Sequence, residues 1–152
     1  MAAGIDPIYC KAQDVQFGNL ATATPVIGTT ANTSLILAGS TLGTDCYSVF
    51  TADATNGGFI QKIRFKPGVS ASATTLTVAR IFLNNGSTPS TAGNTVFIDD
   101  ITLPSTTPSI TASSPVIEVL LNLAIPAGWK VLVSFATASA NGWQVSAFGG
   151  KY

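Results

Sequence analysis

The residues able to do chemistry are few in this chain, and the first fact about them is a gap: it contains no histidine. Ser-His-Asp and Cys-His arrangements are therefore excluded, together with imidazole-ligated metals. Asp99-Asp100 is the only dense acidic site. A glycosidase needs two carboxyls converging at roughly 5 to 9 Å across a bond, but consecutive residues on a strand point to opposite faces unless a bulge intervenes. The pair reads better as a solvated strand end or as a partner for Lys or Arg. Asp45, Asp53, Asp99 and Asp100 carry the oxygens that calcium takes, yet no EF-hand spacing joins them. Gly57-Gly58 and Gly149-Gly150 precede no helical pattern, so they cradle no phosphate. No catalytic, cofactor-binding or metal-ligating residue is assigned, and the chain is read as a non-enzyme.

The basic residues are more orderly. Lys62, Arg64 and Lys66 alternate along one stretch, and Arg80 follows on the next. Such a stripe is ordinarily the solvated face of a sheet; the sharper reading is a docking face for an acidic protein surface. Cys10 and Cys46 are isolated from each other and from any metal-site spacing, and both read as reduced. Trp129 and Trp143 could stack on a sugar, but at a strand start and beside a turn they read as core and rim. Asn32-Thr-Ser34 and Asn85-Gly-Ser87 match the glycosylation pattern, as happens readily in a chain rich in Ser and Thr.

These residues must be held by strands. The clearest stretch is 59–83, read as two strands meeting at the Pro67-Gly68 turn, with Phe59, Ile63 and Phe65 on the buried parity and the three cations on the wet one. In the second strand apolar residues lie on both parities, which predicts a central strand or one covered on its outer side too. Further strands are expected at 34–38, 47–52, 95–103, 116–123, 129–135 and 143–148, each bounded by Gly, Pro, Asn or Ser clusters. The polar runs 84–94 and 104–115 are too long for tight hairpins and read as long loops. No segment holds a 3.6-residue period.

The fold class is therefore all-β: a two-sheet antiparallel sandwich, a jelly roll of about eight strands. Residues 29–152 form this domain, and 1–28 form an extended N-terminal arm or edge strand, able to add to a neighbouring subunit's sheet. At 152 residues the chain suits a single domain. Charged residues make up 9% of it, against roughly a quarter in an average domain, and 46% is hydrophobic. Seven basic and seven acidic side chains cancel, which argues against nucleic-acid binding and leaves little protection against self-association. The opening Met-Ala-Ala-Gly-Ile-Asp-Pro lacks the basic and apolar regions of a signal peptide, so the protein is expected to be made in the cytoplasm. No apolar run reaches the ~18 to 20 residues that span a bilayer.

Three segments carry a resemblance: Ile63-Arg-Phe-Lys-Pro-Gly68; Ala79-Arg-Ile-Phe-Leu-Asn-Asn-Gly-Ser-Thr88; and Leu121-Asn-Leu-Ala-Ile-Pro-Ala-Gly-Trp129 with the ending Asn141-Gly-Trp-Gln-Val-Ser-Ala-Phe-Gly-Gly-Lys-Tyr152. Together, over about 58–152, they resemble small jelly-roll proteins encoded beside the major capsid gene in tailed bacteriophages and prophages. The resemblance implies a capsid decoration or cement protein, bound to the major capsid protein on the virion exterior and itself a homo-oligomer, dimer or trimer. It carries over no catalytic residue or cofactor. The rival is a carbohydrate-binding sandwich module of a phage fibre or bacterial surface protein, which predicts exposed aromatics in or beside the two long loops.

Overall fold

The computed structural model describes residues 13–16, 18–19, 24–68 and 72–152. Ten strands run in chain order: β1 (Gln13–Gln16), β2 (Gly18–Asn19), β3 (Thr24–Ile27), β4 (Cys46–Thr51), β5 (Gly58–Pro67), β6 (Thr77–Asn84), β7 (Thr95–Leu103), β8 (Ile117–Ile125), β9 (Lys130–Phe135) and β10 (Trp143–Lys151). No helix occurs among the described residues.

All the pairings between these strands are antiparallel, in two sheets. One has the order β2-β3-β10-β5-β8, with β1 also against β10; the other has the order β4-β9-β6-β7. From β3 onward every connection changes sheet except β6 to β7. That alternation, with two four-stranded layers β3-β10-β5-β8 and β4-β9-β6-β7, is the jelly roll. The expected all-β, two-sheet sandwich is what the chain forms.

Between the layers lies one core, in which Ile60, Ile63 and Phe65 of β5, Ala79 and Ile81 of β6, Val131, Val133 and Phe135 of β9, and Trp143, Val145 and Ala147 of β10 are buried. Phe135 is its hub, meeting the rings of Tyr47 and Phe65 edge-on at centroid distances of 6.3 and 6.4 Å. Burying a side chain of this size is worth about 1.5–3 kcal/mol, so the two inner faces supply most of the driving force.

A second, smaller core lies on the outside of the four-stranded sheet. Phe82, Leu132 and Cys46 point away from the main core and are still buried, because Leu37 is inserted over them with Leu42 beside it. This is the outer cover expected from the two apolar parities of 75–83. Central placement holds too, since β6 lies between β9 and β7.

Three expectations fail locally. The stretch 59–83 is not a hairpin: β5 pairs with β10 and β8, β6 with β7 and β9, and they belong to opposite sheets. Gly68, at φ +53°, sends the chain out of the first sheet instead of back along it. The strand expected at 34–38 is absent. Leu37 adopts φ +53°, outside extended geometry, and that turn drives its side chain inward while Leu35 and Ile36 stay exposed. Finally, Phe59 is not on the core parity. The register of β5 shifts at Gln61 against both neighbours, so Ile60 and Ile63 both face inward and Phe59 is half-buried at the outside.

The arm expected over 1–28 is described only in its paired parts. β3 pairs with Gln144 and Val145 of β10, β1 pairs further along the same side of β10, and β2 pairs with β3. The remainder of 1–23, including Cys10, lies outside the described residues.

Candidate docking face

Beyond the bulge at Gln61 the parity of β5 is regular, so Lys62, Arg64 and Lys66 all emerge on the outer face of the six-stranded sheet. Register decides what each one meets. Arg64 sits between Glu118 of β8 and Ser146 of β10; Lys62 sits between Leu120 and Phe148; Lys66 lies beside Gln144.

Glu118 binds two of the three cations. Lys62 Nζ donates to Glu118 Oε2 at 3.0 Å, and the Arg64 guanidinium reaches Oε1 through Nε at 2.8 Å and Nη2 at 2.7 Å. These hydrogen bonds, from Lys62 and then Arg64, hold the Glu118 carboxyl below its ordinary value; desolvation opposes them, and the two positive charges add to the lowering. The same cations lie over the Phe148 ring, Arg64 Cζ at 4.7 Å and Lys62 Nζ at 5.4 Å from its centroid. Lys66 is exposed and has no ion-pair partner among the described residues. The result is a pinned pair of cations, a half-buried aromatic ring and one loose cation, with a net positive charge.

Arg80 does not join them. It lies on β6, in the opposite sheet, and its Nη1 donates to the carbonyl of Asn32 at 3.0 Å. The earlier placement beside the stripe followed from the supposed hairpin and falls with it. Arg80 instead fastens the 31–45 segment to its sheet. Asn32 Nδ2 donates to Ser40 Oγ at 2.8 Å, Asn32 Oδ1 accepts from Ser34 N at 2.9 Å, and Gly39 N donates to Ser90 O at 3.1 Å. Leu35 and Ile36 are thus displayed on a loop whose backbone is tied down at both ends.

The other chemical candidates have structural employment. Asp99 and Asp100 are both exposed on the edge strand β7, next to a register shift at Ile98, and Asp99 Oδ1 accepts from the Asp100 amide at 2.8 Å. Asp45 accepts from Thr41 N at 2.7 Å, and Asp53 accepts from Thr55 N and Asn56 N, both at 2.9 Å, so each of these carboxylates organises its own turn. Among the described residues no cluster of metal-ligating side chains forms. Cys46 is a free, buried thiol, and burial, with the nearby Asp45 charge, pushes it up to about 12. Trp143 is fully buried, and Trp129 packs half-buried against the core, so neither offers a stacking platform. Asn32 of the first glycosylation match is buried and bonded.

The two long connections are ordered by hydrogen bonds. The 85–94 loop closes through Asn85 N to Asn94 O at 3.0 Å and Asn84 Nδ2 to Asn94 O at 3.1 Å. The 104–116 connection is anchored to Thr74, whose amide donates to Thr106 O at 2.8 Å and whose carbonyl accepts from Ser105 Oγ at 2.7 Å. Past that anchor Ile110 stands 98% exposed.

Sequence reasoning missed Glu118 and Phe148 as members of the face. A signal existed for the first: Glu118 is the one charge between 101 and 129, and an outward carboxylate in a sheet pairs with cations on a neighbouring strand. Comparison with known proteins finds no matching family model, no matching characterised protein and no matching solved structure.

Proposed function

We propose that the protein is a structural component of a tailed-phage virion, a decoration or cement protein that binds the outside of the head and ties capsomers together. The observation that carries the reading is the surface. Leu35, Ile36, Leu76, Val96, Ile110 and Leu120 are each more than half exposed, on a chain with only 9% charged residues. They stand on loops and strand edges, where contact with a neighbouring surface is least obstructed.

Cement works by area and repetition. Each copy buries modest surface across a seam, and many copies on a symmetric lattice add up. Tethered apolar knobs such as Leu35 and Ile36 lose little freedom on docking, which keeps the cost of binding low. The Lys62, Arg64 and Lys66 face complements acidic groups on the major capsid protein and favours encounter more than affinity. The three segments resembling phage decoration proteins point the same way.

The test is direct. Purified protein is added to mature heads of the phage or prophage that encodes it, and co-sedimentation and the temperature of DNA release are measured. Saturable binding with a raised release temperature is expected. Failure to bind those heads overturns the reading, and glycan binding without head binding would replace it with a carbohydrate-binding module.

A further inference from the structure

The strands of the sandwich are held in ladders, but the segment that covers the outside of the four-stranded sheet is not: residues 32–40 form no strand. They are fastened at their ends. Asn32 N donates to Phe135 O at 2.7 Å and Arg80 Nη1 to Asn32 O at 3.0 Å, while Gly39 N donates to Ser90 O at 3.1 Å. Of residues 33–39, Leu37 alone is buried, against Phe82, Leu132 and Cys46. The closed arrangement carries two penalties. Leu37 reaches its place through a left-handed backbone, φ +53°, that a residue with a Cβ adopts only at a cost. Ser134 pairs with Cys46 on one side and Arg80 on the other, so its side chain points to the same outer face. Its Oγ is buried there with no hydrogen-bond partner among the described residues, and a hydroxyl sealed in this way loses its hydration without compensation.

We propose that residues 32–40 are a strap that opens as a unit while the sandwich stays folded, hinged at Asn32 and Gly39 and latched by Leu37. Opening relieves both penalties, because the Leu37 backbone relaxes and water reaches the Ser134 hydroxyl. It gives up the burial of one leucine and of the face beneath it, and no ladder is broken. A segment held by so few apolar contacts opens at a free energy below that of global unfolding. Opening uncovers Phe82, Leu132 and Cys46, and it carries Leu35 and Ile36, both more than half exposed, away from where the closed strap displays them. The strap therefore switches two surfaces together. It does so in the isolated protein, whatever the protein docks on.

Cys46 reports the opening. In the closed protein its thiol is buried and pushed up to about 12, so it stays protonated and unreactive until the strap lifts. Cys10→Ser removes the other thiol of the full chain. Labelling of that protein with excess dithionitrobenzoate in mildly alkaline buffer is followed at urea concentrations below the unfolding transition. Labelling is expected to be far slower than in an unfolded control and nearly independent of urea, because the opening exposes little surface. In the same background Ser134→Ala, which removes the unpartnered hydroxyl, is expected to slow labelling at least about fivefold. Leu37→Ala is expected to speed it at least about tenfold, and both variants should keep the circular dichroism of the parent. Labelling with the urea slope of global unfolding, or none below the transition, overturns the proposal, since Cys46 would then be reached only when the sandwich unfolds. A thiol as reactive as the unfolded control overturns it too, as does a Ser134→Ala protein that labels at the parent rate or faster.

Discussion

On the outside of the four-stranded sheet, Phe82 and Leu132 lie fully buried, because the 31–45 segment folds over them and inserts Leu37. On the outside of the six-stranded sheet, Lys62, Arg64, Ser146 and Phe148 are only half-buried. A sheet has two faces and a sandwich buries only the inner ones, so each outer face must be either covered by more chain or made compatible with water. This protein does one on each side. The covered face is held by apolar packing and a few buried hydrogen bonds, and its side chains contribute stability. The open face is held by ion pairs and ring contacts at the surface, and its side chains are free to contribute recognition.

The contrast is tested first at its strongest point. Phe82→Ala removes the centre of the second core and the ring that meets Phe97 at 5.6 Å. A loss of about 3–5 kcal/mol is expected, read as a lower urea midpoint with an unchanged slope. A loss below about 1 kcal/mol would mean that the segment does not cover the face as packed core. Next comes Arg80→Gln, which releases the Asn32 carbonyl from its cation. The expected cost is about 1–3 kcal/mol, with faster proteolysis within 31–45. If instead this variant folds like wild type and loses head binding, Arg80 belongs to recognition and the division between the faces fails.

The open face should answer in the opposite manner. Replacing Lys62, Arg64 and Lys66 together by Ser is expected to leave the urea midpoint unchanged within error and to weaken co-sedimentation with heads, most at low ionic strength where charge steering is strongest. Unchanged binding in the triple variant would remove this face from the docking surface. The apolar loops would then carry the contact alone.

Much of this architecture was legible in the residues. Alternation and turn chemistry located seven of the strands to within a few residues, and the two-sided apolar pattern of 75–83 anticipated a cover over β6. What escaped detection depends on where segments go after a turn. Pro67-Gly68 specifies a change of direction, and the same change serves a hairpin or a passage to the opposite sheet; only the pairing demands of β10, β8, β9 and β7 decide. Ser34-Leu-Ile-Leu-Ala38 has the composition of a strand, but Leu37 reaches its pocket through a left-handed backbone that composition does not encode. The register shift at Gln61 reversed the parity of Phe59 and Ile60, because one inserted residue moves every side chain before it to the other face. The cations of the open face are legible from alternation alone, whereas Glu118 and Phe148 need the register of two strands distant in sequence.

The smallest effect bears on that last point. Glu118 is held below its ordinary value, 4.5, chiefly by hydrogen bonds from Lys62 and Arg64. A carboxyl with a depressed folded value stabilises the fold above its unfolded value and loses that contribution as pH falls through the folded one. Wild type and Glu118→Gln should therefore differ slightly above pH 4.5 and converge below it, and added salt should shrink the difference because the groups lie at the surface. A carboxyl titration followed by NMR should place the Glu118 midpoint below 4.5, and Lys62→Met should raise it. A midpoint at or above 4.5 in the wild-type protein would mean that the bridge does not form in solution. All three cations of the open face would then be loose, and the face would present more positive charge to a partner than the pinned arrangement allows.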